Sequence, residues 1–144
     1  QHPLVREKAL ELTKGCLTQK EKIQAIFYYV RDDIKFGFPP QADFVKASET
    51  IQLGCGQCNT KGTLFLALCK SLIITARLHF SLIKKEIQKG LFSGVAFWLL
   101  PKYLSHSWIE IFLDGQWIKT DTYINDRAFY YGGKQILEKR GWSS

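Results

Sequence analysis

His106-Ser107-Trp108-Ile109-Glu110-Ile111-Phe112-Leu113-Asp114-Gly115-Gln116-Trp117-Ile118-Lys119-Thr120-Asp121 is the stretch whose reading decides the fold. Asp-Gly is a strong signal for a two-residue hairpin loop, because both turn positions need positive φ. The flanking runs, Ser105 to Leu113 and Gln116 to Ile124, therefore read as two antiparallel strands. A two-residue loop pairs Leu113 with Gln116, and the rest of the register follows. Ile111 faces Ile118, Glu110 faces Lys119, Trp108 faces Asp121 and His106 faces Tyr123. The opposite charges of Glu110 and Lys119 support that register, and Ile111 with Ile118 makes an apolar pair suited to a core. His106, Trp108, Lys119 and Asp121 then share one face. His106 and Asp121 become diagonal neighbours there, with backbones about 7–8 Å apart. Across that gap a carboxylate can hold an imidazole in one tautomer.

A histidine so held is a general base that needs a nucleophile, and Cys58 is the candidate. It follows the turn Gly54-Cys55-Gly56-Gln57 and opens a helix expected to run to about Leu72, with Leu64, Leu68 and Leu72 on one face. A helix N-terminus carries partial positive charge, which stabilises a thiolate. The Cys58 N–H has no intrahelical acceptor, so it is the candidate oxyanion donor during acyl transfer. Taken alone, Cys58 reads as well as a buried core cysteine; in order with His106 and Asp121 the catalytic reading is preferred. Cys16 and Cys69 sit among apolar neighbours and read as core. Cys55-Gly56-Gln57-Cys58 has CxxC spacing, but a single CxxC is a weak metal signal because a tetrahedral zinc needs further ligands. A Cys55–Cys58 disulfide would remove the thiolate, so Cys55 is a candidate redox partner of the nucleophile. Gln57 and Trp108 are candidate cleft-lining residues, while Trp117 serves a cleft or a core equally well.

Upstream, Pro3 suits the first turn of a helix with Val5, Ala9 and Leu12 on one face, closed by Gly15. Thr18-Gln19-Lys20-Glu21 has the form of a capping box. Behind it Ile23, Ile26, Phe27, Val30 and Ile34 recur at helical spacing, which predicts a second helix to about Ile34. Pro39-Pro40 stops any continuation. Asp43 to Leu53 reads as a short helix or turn ended by Gly54. Arg77 to Ile83 alternates as a strand, with Leu78, Phe80 and Leu82 on one side. In Lys84 to Leu104 the apolar run Val95 to Leu100 reads either as a buried strand or as part of a substrate cleft. The tail after Asp126, with Gly132-Gly133, reads as a short helix or an irregular segment.

At 144 residues, 46% hydrophobic and 23% charged, the chain is expected to form one domain over residues 1–144. No apolar run reaches the roughly 18 residues of a membrane span. Gln1 at the start and the absence of Met are expected of a processed or trimmed form, and no signal peptide is visible. The net charge of +7 is spread over scattered lysines, the pattern of a solvated surface, and no nucleic-acid motif accompanies it. Gly56 to Thr63 is not a phosphate-binding loop, since the order is Lys61-Gly62-Thr63 rather than Gly-Lys-Thr. No EF-hand-like run of oxygen ligands is present, so neither a metal nor a cofactor is expected.

Three blocks resemble one family. Gly56-Gln57-Cys58-Asn59, with Leu64 to Leu68 and Ala76-Arg77, resembles the nucleophile helix of transglutaminase-like enzymes. His106 to Ile111 resembles their histidine strand, and Asp114 to Asp121 their aspartate strand. Tyr29 to Ile34 is similar to the helix that precedes these blocks. Ile73-Ile74-Thr75 departs from the Gly-Ile-Pro often found before the family's Ala-Arg. The resemblance implies an α+β, papain-like core in which a cysteine-bearing helix packs on an antiparallel sheet, and a triad of Cys58, His106 and Asp121. It implies thiolate attack on amides of a peptide or protein substrate, with hydrolysis expected because crosslinking would need a further amine-binding surface. The alternatives are transamidation, a non-catalytic binding module on the same fold, or a basic nucleic-acid-binding domain.

Overall fold

The computed structural model describes residues 2–88, 98–121, 123, 126–139 and 141. Helix α1 (Pro3–Leu12) buries Val5 and Ala9. Helix α2 (Gln19–Tyr28) starts at the expected box, in which Thr18 Oγ1 accepts the Glu21 N–H and the Glu21 carboxylate accepts the Thr18 N–H. The run toward Ile34 then widens into a π-turn, Tyr29–Asp33, before the chain becomes extended at Ile34. A short strand β1 (Lys35–Phe36) pairs in parallel with β2 (Cys55–Gly56). Between them lie a 3-10 turn, Ala42–Phe44, and helix α3 (Ala47–Leu53). Gly54 closes α3 at φ 63°, a left-handed position that glycine takes without strain.

Helix α4 (Cys58–Ser71) leads into an antiparallel sheet of β3 (Ala76–Lys84), β4 (Tyr103–Leu113) and β5 (Gln116–Thr120), with β4 in the middle. The loop is the tight turn read from Asp-Gly, with φ 51° at Asp114 and 80° at Gly115. Within the ladder the register is as derived, with Leu113 paired to Gln116, Ile111 to Ile118 and Glu110 to Lys119. The ladder ends at Ile109–Thr120, so the expected Trp108–Asp121 and His106–Tyr123 pairs are not part of it, and Tyr123 is instead buried against Ser107. One face of the sheet carries α4, whose other sides meet α1, α2 and α3. Val5, Ala9, Ile26, Val30, Ile34, Leu64, Phe65, Leu68, Ile109 and Ile111 close the core between these layers. This is the expected α+β arrangement of a cysteine-bearing helix on an antiparallel sheet. Helix α5 (Arg127–Lys139) follows. No helix among the described residues is long and apolar enough to cross a membrane.

Several expectations are corrected. β5 stops at Thr120 rather than Ile124, so Asp121 sits just past its end. Ile111 is buried, but its partner Ile118 is 39% exposed, because β5 is an edge strand and α4 covers β3 and β4. Leu78 is packed on the core, whereas Phe80 and Leu82 are exposed where the β3–β4 ribbon runs beyond the Cys58 end of α4. Cys69 is in the core and Cys16 is only half-buried outside it. Of the two readings of the tail, helix or irregular segment, the helix is the one observed, and α5 runs through Gly132-Gly133. Of the apolar run Val95 to Leu100, residues 95–97 lie outside the described residues, while Trp98 and Leu99 are exposed in a helical turn rather than on a buried strand.

Candidate active site

Cys58 is the first residue of α4, as expected, and neighbouring residues fix where that helix end sits. Gly56 admits no side chain: a Cβ there would lie 2.5 Å from Thr60 Oγ1. The Thr60 hydroxyl instead accepts the Gln57 N–H at 3.0 Å. One turn on, a Cβ at Gly62 would come within 2.9 Å of both Leu78 Cδ1 and the Tyr123 hydroxyl, and 3.0 Å of Ser107 Oγ. Glycine there lets α4 lie directly against β4. The Ser107 hydroxyl donates to the Cys58 carbonyl at 2.8 Å, and the buried Tyr123 hydroxyl donates to the Ser107 carbonyl at 3.2 Å. Lys61, fully buried, donates to the Ile34 carbonyl at 2.6 Å and so ties the same helix turn to the exit of the π-turn. Burial pulls the Lys61 ammonium down to about 8.

The Cys58 sulfur lies 3.8 Å from the Ser105 carbonyl, beside the start of the histidine segment. His106 Nε2 is 2.9 and 3.1 Å from the two carboxylate oxygens of Asp121, which leaves Nδ1 as the ring nitrogen for the thiol. The hydrogen bond to Asp121, and then the contact with the Cys58 sulfur, push His106 up to about 9 against the opposing effect of burial. Both neighbours favour the imidazolium. The structure therefore brings Cys58, His106 and Asp121 into one chain of contacts. Asp121 is at the solvent end of it, its side chain 55% exposed.

Beside the imidazole opens a cleft of about 340 Å³ lined by Ser81, His106, Trp108, Lys119, Thr120 and Asp121. Trp108 is among the residues that line it. Gln57 is not among the residues lining this cleft; its side-chain amide donates to the Asp43 carboxylate. Cys55 pairs with Lys35 in the short parallel ladder, and its thiol is not bridged to Cys58.

The expected Glu110–Lys119 pair faces across the strands but is not an ion pair. The Glu110 carboxylate takes Arg77 Nε at 2.6 Å and His79 Nε2 at 2.9 Å, both from β3, and the Arg77 contact holds Glu110 below the usual carboxylate range. His79 stacks on Trp108, ring centres 4.2 Å apart, and Arg77 lies over Trp117 at 4.0 Å. From the β5 side Lys119 sits 5.4 Å from the centre of the Trp108 ring. His79 had no role in the sequence reading beyond its strand. Its alternation with Arg77 on β3 was visible, but its partner depended on a β3–β4 register that no turn signal fixes. Among the described residues no group of three His, Cys, Asp or Glu side chains converges as a metal site.

Comparison with known proteins bears on the fold and the family. No curated protein matches the chain. Among solved structures, a candidate cysteine protease from Cytophaga hutchinsonii superposes with a TM-score of 0.62 at 21% identity, covering 90% of this chain and 39% of that one. A candidate protease from Parabacteroides distasonis gives 0.58 at 12% identity, over 81% of this chain and 22% of the other. The periplasmic domain of TgpA from Pseudomonas aeruginosa, bound to ethylmercury, gives 0.56 at 15% identity, over 94% and 49%. The chain spans less than half the length of each of these three, and at such identities the likeness is one of fold. Residues 6–122 match the family model of the transglutaminase-like superfamily. With most of its length inside that match and an α+β fold of the same kind, the chain belongs to the transglutaminase-like superfamily.

Proposed function

We propose that the protein is a thiol amidase or peptidase, with Cys58 as nucleophile, His106 as general acid and base, and Asp121 as the group that orients and charges His106. The observation that carries this is the line of contacts from the Asp121 carboxylate through the imidazole to a cysteine at a helix N-terminus. The thiolate of Cys58 adds to the amide carbonyl carbon, and the developing oxyanion lies at the Cys58 N–H. The C–N bond then breaks, the leaving nitrogen takes the proton of the His106 imidazolium, and a thioester remains. Neutral His106 next removes a proton from water. The hydroxide adds to the thioester, the C–S bond breaks, and carboxylic acid and thiolate are released. Hydrolysis is favoured over transamidation because the cleft is open and Asp121 is half exposed, so water reaches the acyl-enzyme.

The test is to form the acyl-enzyme with an activated ester and follow its decay with and without a lysine analogue. Decay in water alone at nearly the full rate is expected; slow decay in water and fast decay with amine would make the protein a transamidase. Labelling by iodoacetamide, resolved by site, should be led by Cys58 and should spare Cys69, whose thiol burial pushes up to about 12.

A further inference from the structure

We infer that the cleft beside His106 receives the leaving-amine part of the substrate and selects one that carries a carboxylate, with Lys119 as the selecting cation. This rests on the proposed role of Cys58 and His106 and adds a substrate class to it.

Position is the first argument. The cleft is lined by His106 and Asp121 and not by Cys58. A general acid must reach the nitrogen that departs, so the departing part of the substrate lies against the imidazole, where this cleft opens.

Charge is the second. Lys119 and Glu110 face one another in the register, and such a pair would ordinarily neutralise itself. Here Glu110 is taken by Arg77 and His79. Lys119 is left in the cleft wall with no carboxylate partner among the described residues, resting only against the Trp108 ring. The other charge in the cleft, Asp121, is bonded to His106, which its own carboxylate keeps protonated to about 9. An anion entering the cleft therefore meets Lys119 with no carboxylate on it, while the Asp121 carboxylate is turned onto the His106 ring that it shares with the Cys58 sulfur.

Reach is the third. Lys119 and Asp121 are two positions apart and both line the cleft, a span of at most about 7 Å of chain. A carboxylate one or two residues beyond the scissile nitrogen falls within that span. The Trp108 ring, braced by the stacked His79, supplies an apolar wall, and the hydroxyls of Ser81 and Thr120 complete the lining. The carboxylate could be the C-terminal one of a short peptide or an acidic side chain.

The experiment uses three matched pools of N-acetylated tripeptides, randomised at the first two positions and ending in Gly-OH, Gly-NH2 or Asp-NH2, with the released amines quantified by mass spectrometry. Gly-OH or Asp-NH2 should be released about two- to fivefold faster than Gly-NH2, the scale of one partly screened ion pair. Which of the two is faster tells the terminal carboxylate from the side chain. Lys119→Gln should bring the ratio close to one and Lys119→Glu should invert it. Equal release from all three pools, unchanged in Lys119→Gln, overturns the inference while leaving the thiol chemistry standing. Turnover that survives in Cys58→Ala overturns the thiol chemistry instead. A binding measurement is independent of turnover: in Cys58→Ala, Gly-Gly should shift the Trp108 indole N–H resonance at lower concentration than Gly-Gly-NH2, and Lys119→Gln should remove the difference. Identical titrations with the two peptides would refute the assignment of Lys119.

Discussion

Ser107, Ile109 and Ile111 on one face of β4 differ from His106 and Trp108 on the other in both polarity and access. The first three are buried, and Ser107 spends its hydroxyl on the carbonyl of Cys58. The outer pair meets solvent and stands among charges: Asp121 and Lys119 from the β5 side, Arg77, His79 and Glu110 toward β3. Apart from Lys61, which is tied to the Ile34 carbonyl and whose ammonium burial pulls down to about 8, the helix bearing Cys58 is held from the inner face by neutral hydrogen bonds and close packing, whose strength does not vary with pH. The histidine is held on the outer face by a charge, which does. Alternation of side chains along one strand thus lets a fixed sulfur and a titrating imidazole sit within contact while being governed by different forces.

The largest effect should fall where the two faces meet. Cys58→Ala and His106→Ala should each lower turnover by about 10³-fold or more, and Asp121→Ala sharply but less. Urea unfolding of the same variants should stay close to the parent, since none of the three belongs to the core cluster. A large loss of stability in Cys58→Ala would mean the sulfur is a packing group, and the division between faces would fail.

Next in size is the seam itself. A Cβ at Gly62 meets Leu78, Tyr123 and Ser107 at once, and a branched side chain there forces α4 off the sheet. Gly62→Val should cost about 2–3 kcal/mol in urea unfolding, at the upper end for overpacking. It should also slow labelling of Cys58, because the sulfur moves with the helix. Tyr123→Phe removes only the hydrogen bond to the Ser107 carbonyl, and about 1 kcal/mol is expected. A loss of equal size at pH 6 and pH 9 for both variants would agree with a seam built from neutral groups.

The same division explains what could be read from sequence. Asp114-Gly115 fixes its own turn geometry, and a turn fixes the register of both strands, so the face shared by His106, Lys119 and Asp121 followed from local rules alone. The start of α4 was equally local, set by Gly54 and Gly56. What escaped were contacts that join distant parts of the chain. Glu110 was assigned to Lys119 because β5 was the only neighbour whose register a turn dictated; β3, with Arg77 and His79, arrives through a long connection. Ile118 was expected in the core because alternation tells which face a residue takes, not whether a helix covers that edge. Tyr123 was placed opposite His106 because β5 was read as running on to Ile124, and Lys61 gave no signal as an anchor, since a lysine in a helix is usually exposed. Gly62 did leave one, a glycine inside a helix, where it is costly unless something packs closely.

The smallest expected effect on stability, and the sharpest on pH behaviour, belongs to the outer face. His106 has its pKa raised from 6.5 to about 9 in the folded protein, mainly by the hydrogen bond to Asp121. A group raised on folding lends stability that is fully present below the unfolded pKa, near 6.5, and lost as pH climbs through the folded value, near 9. Asp121→Asn keeps a side chain of the same shape and removes the charge. Because Asp121 is half exposed, the loss of stability at pH 6 should stay below about 1 kcal/mol, as for other solvent-screened pairs, and should vanish by pH 10. Turnover should respond more strongly. If, as proposed, the leaving nitrogen takes its proton from the imidazolium, kcat/KM should fall on the alkaline side as pH passes about 9. In Asp121→Asn the imidazolium loses its main support, and that limb should move toward neutral pH by about one unit or more. Two measurements check this: the pH profile of kcat/KM for both proteins, and the NMR titration of the His106 ring in a Cys58→Ala background, where the carboxylate acts without the sulfur. An alkaline limb that does not move, together with a ring titrating near 6.5 in both backgrounds, would show that Asp121 orients the imidazole without charging it.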